Sequence, residues 1–425
     1  MRRTGWSYSL LAVLLLLSFS QTAAAQQSRE KRHIVVPQSS VVAPNGGLAT
    51  AHTNLLISMP ESGPIPISAA SSPNELPPVP GLFFETPASL ACVYRLVKNP
   101  KPGCNPDATT DVVTGGSGAI AIVDAFHNPN AAKDLAIFSS IFGLLPADLT
   151  VVFASGNQPG LDPSGGWELE ESLDLQYAHA MAPKARLFLV EADTNSGNDL
   201  VDAIILAGNL VSANGGGEVT MSFSFGEFTQ ETQLDSLFTA PGVVYFASTG
   251  DSAGANWPAT SPNVVAAGGT TISRDSTTGR FLLESAWQDA GGGPSLVEPR
   301  PHFQDRIARI VGPMRATPDI SFDANPATGV WVVDTNLFQG QPGGLFIVGG
   351  TSLSSPALAG IINSAGKFFA SSQAENTEIY HHIFFDRDDY RDVIYGNCGI
   401  NMGDFSLPGY DFCTGVGTSL GYGGK

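Results

Sequence analysis

The residues with the clearest chemical potential lie in Gly349-Gly350-Thr351-Ser352-Leu353-Ser354-Ser355-Pro356. Two glycines permit a tight turn, and the apolar spacing from Ser352 to Phe369 predicts a helix whose first turn holds Ser352. Unpaired N–H groups and the positive end of the helix dipole at such a terminus can stabilise an oxyanion beside a hydroxyl nucleophile. The same residues also suit an ordinary helix cap, because serine and threonine commonly open helices.

A serine nucleophile needs a base. The seven histidines are His33, His52, His127, His179, His302, His381 and His382, and none sits in the His-Gly-x-His context of subtilisin-type hydrolases. A substitute appears in the helical stretch from Gly166, where Glu170 and Asp174 stand four residues apart on one face. Two carboxyls that share a proton raise the pKa of one of them. Glu170 can then accept the Ser352 proton while Asp174 holds and polarises Glu170. Taken alone, the pair also reads as a solvated face near a helix start, and the adjacent Glu171 suits that reading.

A third acid follows a buried strand in Ala247-Ser-Thr-Gly250-Asp251, with Trp257-Pro-Ala-Thr-Ser-Pro262 downstream. Asp251 falls where parallel sheets place active residues. If protonated, it can donate a hydrogen bond to a tetrahedral oxyanion, which an ionised carboxylate would repel. A turn-forming aspartate after a strand is the plainer alternative. Asp124 also ends a strand, and a supporting or purely structural role is expected for it.

Glu170-x-x-x-Asp174, Ser-Thr-Gly-Asp251 with Pro-Ala-x-Ser-Pro, and Gly-Gly-Thr-Ser352-x-x-x-Pro resemble the sedolisin family of serine-carboxyl peptidases in chain order, from about Pro87 onward. The resemblance implies Ser352 as nucleophile, Glu170 as general base and acid, Asp174 as its partner and Asp251 as oxyanion stabiliser. It also implies one structural Ca2+ ion. Arg391-Asp392-Val393 and Leu407-Pro-Gly409-Tyr-Asp411 are similar to the family's calcium loop. By that correspondence the ligands are the side chains of Asp392 and Asp411 and the main-chain oxygens of Val393, Leu407 and Gly409. Two departures stand out. The stretch 26–82 is shorter than a typical domain, so activation by a pro-domain differs or is absent. Ser224-Phe225-Gly226 stands where the family often has Ser-Trp-Gly.

The elements that must position these groups can be read from periodicity. Buried strands are predicted at Ala119–Asp124, Thr150–Phe153, Arg186–Val190, Val219–Ser222, Val243–Ala247, Val264–Ala267 and Val330–Val333. A helix is predicted over Asp199–Ala213. This alternation reads as an α/β fold. With the resemblance, the expectation is a subtilisin-like three-layer fold with a mostly parallel central sheet flanked by helices.

Arg2 and Arg3, the apolar run Leu10–Leu17 and Ala23-Ala24-Ala25 read as a signal peptide over 1–25. Residues 26–82, rich in Pro, Ser, Ala and Gly, read as a linker or short pro-region, and 83–425 as the peptidase-like domain with the calcium loop. A secreted, extracellular protein suits two disulfides, and the four cysteines fall into local pairs, Cys92 with Cys104 and Cys398 with Cys413. Free buried thiols are the alternative. The formal net charge of -18 argues against nucleic acid and anionic membrane surfaces as partners. Polypeptide substrates, a monomer and no membrane contact after signal cleavage are expected. The competing readings are a catalytically silent sedolisin-like secreted binding protein, and a subtilisin-type hydrolase with a histidine beside Ser352.

Overall fold

The strand Ala119–Ala125 is buried along its whole length, and its side chains alternate between two cores. Ile120 and Ile122 join Leu135, Leu175 and Ala178 from the helices Ala131–Phe142 and Gly166–Met181. Ala119, Ala121 and Val123 join Leu200, Ala203 and Ile204 of the helix Gly197–Ala213 on the opposite face. Helices on both faces leave no polar side to the strand, so its sequence is a continuous apolar run. This computed structural model describes residues 31–42, 49–70, 76, 82–97, 103–399 and 405–425. The signal peptide expected at 1–25 lies outside the described residues.

Parallel strands run across the central sheet in the order Asp148–Phe153, Arg186–Ala192, Ala119–Ala125, Gly217–Met221, Val243–Ser248, Val265–Arg274 and Ile320–Asp323. The three-layer α/β architecture expected from the sequence is present. Asp124, Ser222 and Asp251 all fall at the carboxyl ends of these strands, the edge at which open parallel sheets carry their ligands. The helix Thr351–Ala365 begins at that same edge and ends where Gly366 turns left-handed, φ 74°, short of the expected Phe369.

One predicted strand pairs elsewhere. Val330–Phe338 forms an antiparallel hairpin with Gln341–Gly349 in a separate four-stranded sheet. A fully buried apolar run does not encode its partner. Here the two-residue turn at Gln339 and Gly340, with φ of 49° and 76°, sets the direction.

The other two strands of that sheet come from the stretch 26–82. Arg32–Val35 pairs with Leu56–Pro60, which pairs in turn with Gln341–Gly349. His52 and Thr53 pair with Ser224 and Phe223. These segments between residues 32 and 60 are therefore held by the body of the protein, in strands too short to leave a clear periodicity in the sequence.

Both local disulfides are formed, with Cα separations of 5.4 Å for Cys92–Cys104 and 5.3 Å for Cys398–Cys413. No helix among the described residues is long and apolar enough to cross a membrane.

A buried ion pair ties down the sheet edge. Arg315 grips Asp319, which also accepts the Tyr380 hydroxyl at 2.8 Å and the Ala266 N–H at 2.8 Å. Asp319→Ala leaves a guanidinium buried without its partner and is expected to cost about 3–5 kcal/mol, read from the denaturant unfolding midpoint. A change below about 1 kcal/mol would refute this role.

Candidate active site

Ser352 is wholly buried one residue inside its helix. Gly350 has φ 110°, and a Cβ there would clash with the Asn54 carbonyl oxygen and come within 2.6 Å of Asp251 Oδ2. Only glycine lets the turn approach both groups. Pro356, four residues after Ser352, has no N–H to bond the Ser352 carbonyl. The Ser222 hydroxyl donates to that carbonyl instead, at 3.2 Å. The Ser-x-x-x-Pro spacing thus opens a place for Ser222 against the helix.

The Ser352 hydroxyl donates to the Ser222 carbonyl at 2.9 Å and accepts the Asn54 N–H at 3.1 Å. The Ser352 N–H donates to the Asn54 carbonyl at 3.0 Å. No histidine ring takes part in these bonds. His127 pairs with Glu191 at 2.7 Å, His179 bonds the Leu145 carbonyl, and burial lowers His52 to about 4.

The carboxyl pair arrives on the helix Gly166–Met181, which packs closely on the serine helix because Gly360 has no side chain. A Cβ at Gly360 would lie 2.6 Å from that of Met181. Every residue of Gly166–Met181 is buried, which overturns the solvated-face alternative for Glu170, Glu171 and Asp174. Burial pushes the Glu170 carboxyl well above its ordinary range; Asp174 and Asp124 add to the rise and the Ser352 hydroxyl opposes it. Ser352 is therefore near Glu170, although its well-formed hydrogen bonds run to Ser222 and Asn54, and the Glu170 oxygens have none. Burial likewise lifts Asp174, opposed by the Ser222 hydroxyl.

Two acids matter more than their sequence context suggests. Asp124 is fully buried, its oxygens lack hydrogen bonds, and burial raises its pKa with help from Asp174 and Glu191. Glu171 is raised by burial, then by Glu191 and Asp124. Carboxyls this close and this dry cannot all ionise, so the cluster retains protons. Only contacts between distant segments could have revealed it.

Asp251 meets the turn that leads into Ser352. Its Oδ1 accepts the Thr351 N–H at 2.7 Å and the Thr351 hydroxyl at 2.9 Å. Its Oδ2 is buried without a hydrogen bond and faces Gly350. Burial pushes Asp251 up to about 8, against the Thr351 bonds. The Ser352 N–H donates to the Asn54 carbonyl oxygen, and both that oxygen and Asp251 Oδ2 lie against Gly350.

No family model matches the chain. Kumamolisin of Bacillus sp. (strain MN-32) is 28% identical over 343 residues, and sedolisin of Pseudomonas sp. (strain 101) is 26% identical over 353. Each match covers 72% of this chain, and the chain spans only 59% and 57% of the two relatives' own lengths. The structure of Pseudomonas sedolisin, a serine-carboxyl proteinase complexed with two molecules of pseudo-iodotyrostatin, aligns with a TM-score of 0.64 and 23% identity, over 80% of this chain and 96% of that one. The chain is thus similar to sedolisin-type peptidases over nearly three quarters of its length and has the sedolisin fold.

Where sedolisins often have Ser-Trp-Gly, Phe225 is 1% exposed and packs on Trp257 and Phe223, with ring centroids 5.5 and 6.1 Å away. The smaller ring is thus accommodated by its aromatic neighbours. In the sedolisin-like calcium loop, Asp392 Oδ2 accepts the Gly409 N–H at 2.9 Å and Asp411 Oδ2 accepts the Leu407 N–H at 3.0 Å. The carbonyls of Val393, Leu407 and Gly409 accept no hydrogen bond among the described residues. Asp411 Oδ1 also accepts the Cys413 and Thr414 N–H groups, and carboxylate and carbonyl oxygens are the donor type that Ca2+ takes.

Raised carboxyl pKa values link stability to pH. Asp251, Glu168 and Glu375 rise to about 8 and Asp334 to about 7, each chiefly by burial. The folded chain then holds protons that the unfolded chain has released between about pH 4 and 8. Stability is fully present below that window and is lost as pH rises through it, by about 1.4 kcal/mol per pH unit for each excess proton. Thermal melts are expected to give a lower midpoint at about pH 8 than at about pH 5. Equal or reversed midpoints would contradict the buried-acid assignment.

Proposed function

We propose that this chain is a secreted serine-carboxyl endopeptidase that hydrolyses polypeptides at acidic pH through an acyl-enzyme on Ser352. What supports the reading is that the coupled buried acids Glu170 and Asp174, and separately Asp251 through Thr351 and Gly350, lie close to Ser352, each raised by burial. Ser352 Oγ attacks the substrate carbonyl carbon, and its proton passes to Glu170. Asp174 keeps the charge shared within the pair. The oxyanion receives hydrogen bonds from the Ser352 N–H and from protonated Asp251. Glu170 then gives its proton to the leaving amine, and water hydrolyses the ester with Glu170 acting again as base.

The acid requirement follows from solvation. In the closed arrangement burial alone keeps Asp251 protonated, up to about 8. Substrate exchange admits water, which relieves that burial and draws the carboxyl back toward its ordinary value near about 4. Low pH then keeps the donor protonated during turnover.

A calcium ion held by Asp392, Asp411 and the carbonyls of Val393, Leu407 and Gly409 would brace the loop next to the Cys398–Cys413 bridge. Export through the signal peptide, with residues 26–82 as a short pro-region, completes the reading. The strongly acidic chain, with a net charge of -18, is expected to act as a monomer without nucleic acid or membrane partners.

Hydrolysis of a denatured protein is expected to rise as pH falls from about 7 toward 4, to be abolished by Ser352→Ala, and to fall about 100-fold or more in Glu170→Gln. A maximum above about pH 7, or retained activity in Ser352→Ala, would overturn the mechanism. Chelation of calcium is expected to lower the melting midpoint of the wild type. At calcium about 100-fold above its dissociation constant the loss would be about 2.7 kcal/mol. An unchanged midpoint would remove the calcium assignment.

A further inference from the structure

The cleft in front of Ser352 is filled by the chain itself. Residues Ala51–Leu56 cross it in extended form and are held along both edges. On one edge His52 and Thr53 pair antiparallel with Ser224 and Phe223, and the Asn54 N–H donates to the Ser222 carbonyl at 3.2 Å. On the other, the Ala51 N–H donates to the Asn195 carbonyl at 2.8 Å and the Asn195 carboxamide returns a bond to the Ala51 carbonyl at 2.9 Å. Beyond the serine, Leu56 pairs with Gly349. This is strand addition, the way a peptide binds an open sheet edge. It brings the Asn54 carbonyl oxygen onto the Ser352 N–H at 3.0 Å, beside Asp251 Oδ2.

The Asn54 side chain enters a pocket of its own. Its Nδ2 lies 2.8 Å from Ser224 Oγ and 2.6 Å from Ser248 Oγ, and both serines are wholly buried. Gly250 leaves the pocket wall open to Asn256, whose Nδ2 would be 2.5 Å from a Cβ placed there. Each serine hydroxyl can donate or accept, and the pair here satisfies the Asn54 amide nitrogen, while Asn54 Oδ1 is buried without a hydrogen bond among the described residues. An apolar side chain would strand both hydroxyls in a dry site, and an ionised carboxylate would lack a counter-charge among these uncharged groups.

We infer that Ala51–Leu56 lies in the cleft as a substrate's backbone would, with Asn54 as the acyl residue, and that the Ser224/Ser248 pocket selects asparagine at that position. The inference rests on the peptidase reading and narrows its substrate class. The bond presented is Asn54–Leu55. Attack by Ser352 forms an ester to the Asn54 carbonyl carbon, the C–N bond breaks, the Leu55 amine takes the proton, and water releases the Asn54 carboxylate.

The test follows the full-length chain by intact mass after a shift to about pH 4, alongside peptides of the form Ala-His-Thr-X-Leu-Leu with X as Asn, Asp, Leu or Ala. Scission between Asn54 and Leu55 is expected in the wild type and not in Ser352→Ala. The Asn peptide is expected to exceed the Leu peptide by at least about tenfold in kcat/KM, a ratio that Ser248→Ala narrows. Hydrolysis of denatured protein with equal or better rates for the Leu or Ala peptide overturns this inference and leaves the peptidase reading standing. A chain that hydrolyses none of these substrates overturns both.

Discussion

The dominant constraint is the withdrawal of carboxylic acids from water without cations to balance them. Asp124, Glu170, Glu171 and Asp174 are wholly buried at one end of the sheet, and desolvation is the first cause of every raised pKa among them. An ionised carboxylate in such a place is costly, so the group keeps its proton or shares one with a neighbour. A set of weak acids becomes a reservoir of mobile protons beside a hydroxyl. In the proposed mechanism these acids take the role an imidazole fills in histidine-based serine hydrolases.

The rest of the fold serves that arrangement. The parallel sheet delivers Asp124, Ser222 and Asp251 to one edge from three different strands. Two helices then approach each other closely enough, through Gly360, to set Glu170 against Ser352. Pro356 frees the Ser352 carbonyl for Ser222, and Gly350 lets Asp251 reach the turn. Each of these residues in the Gly-Gly-Thr-Ser-x-x-x-Pro motif has a contact that requires it. The motif is the trace of a packing solution around one hydroxyl.

The N-terminal segment extends the same logic to substrate binding. Backbone pairing along Ser222–Ser224 is indifferent to side-chain identity, so it gives a groove for extended polypeptide generally. Discrimination has to come from a pocket whose polar atoms are satisfied by one kind of side chain, and two buried hydroxyls form such a site. The aromatic packing of Phe223, Phe225 and Trp257 stiffens the strand that carries the groove.

Much of this was legible in the sequence. Six of the seven expected strands lie in the parallel sheet, because continuous apolar runs of that length encode burial on both faces. The spacing of Glu170 and Asp174 and the turn before Ser352 encode local geometry that helix periodicity preserves. What the sequence could not decide is everything set by contact between distant segments. Val330–Val333 reads like its neighbours yet pairs in another sheet, since an apolar run does not name its partner. Asp124 reads as an ordinary strand-end acid and Glu171 as part of a solvated helix face until the surrounding helices and strands close over them. Ala51–Leu56 has no periodicity at all, and only the folded molecule lays it across Ser352, because backbone hydrogen bonds to a sheet edge depend on position and hardly on residue type.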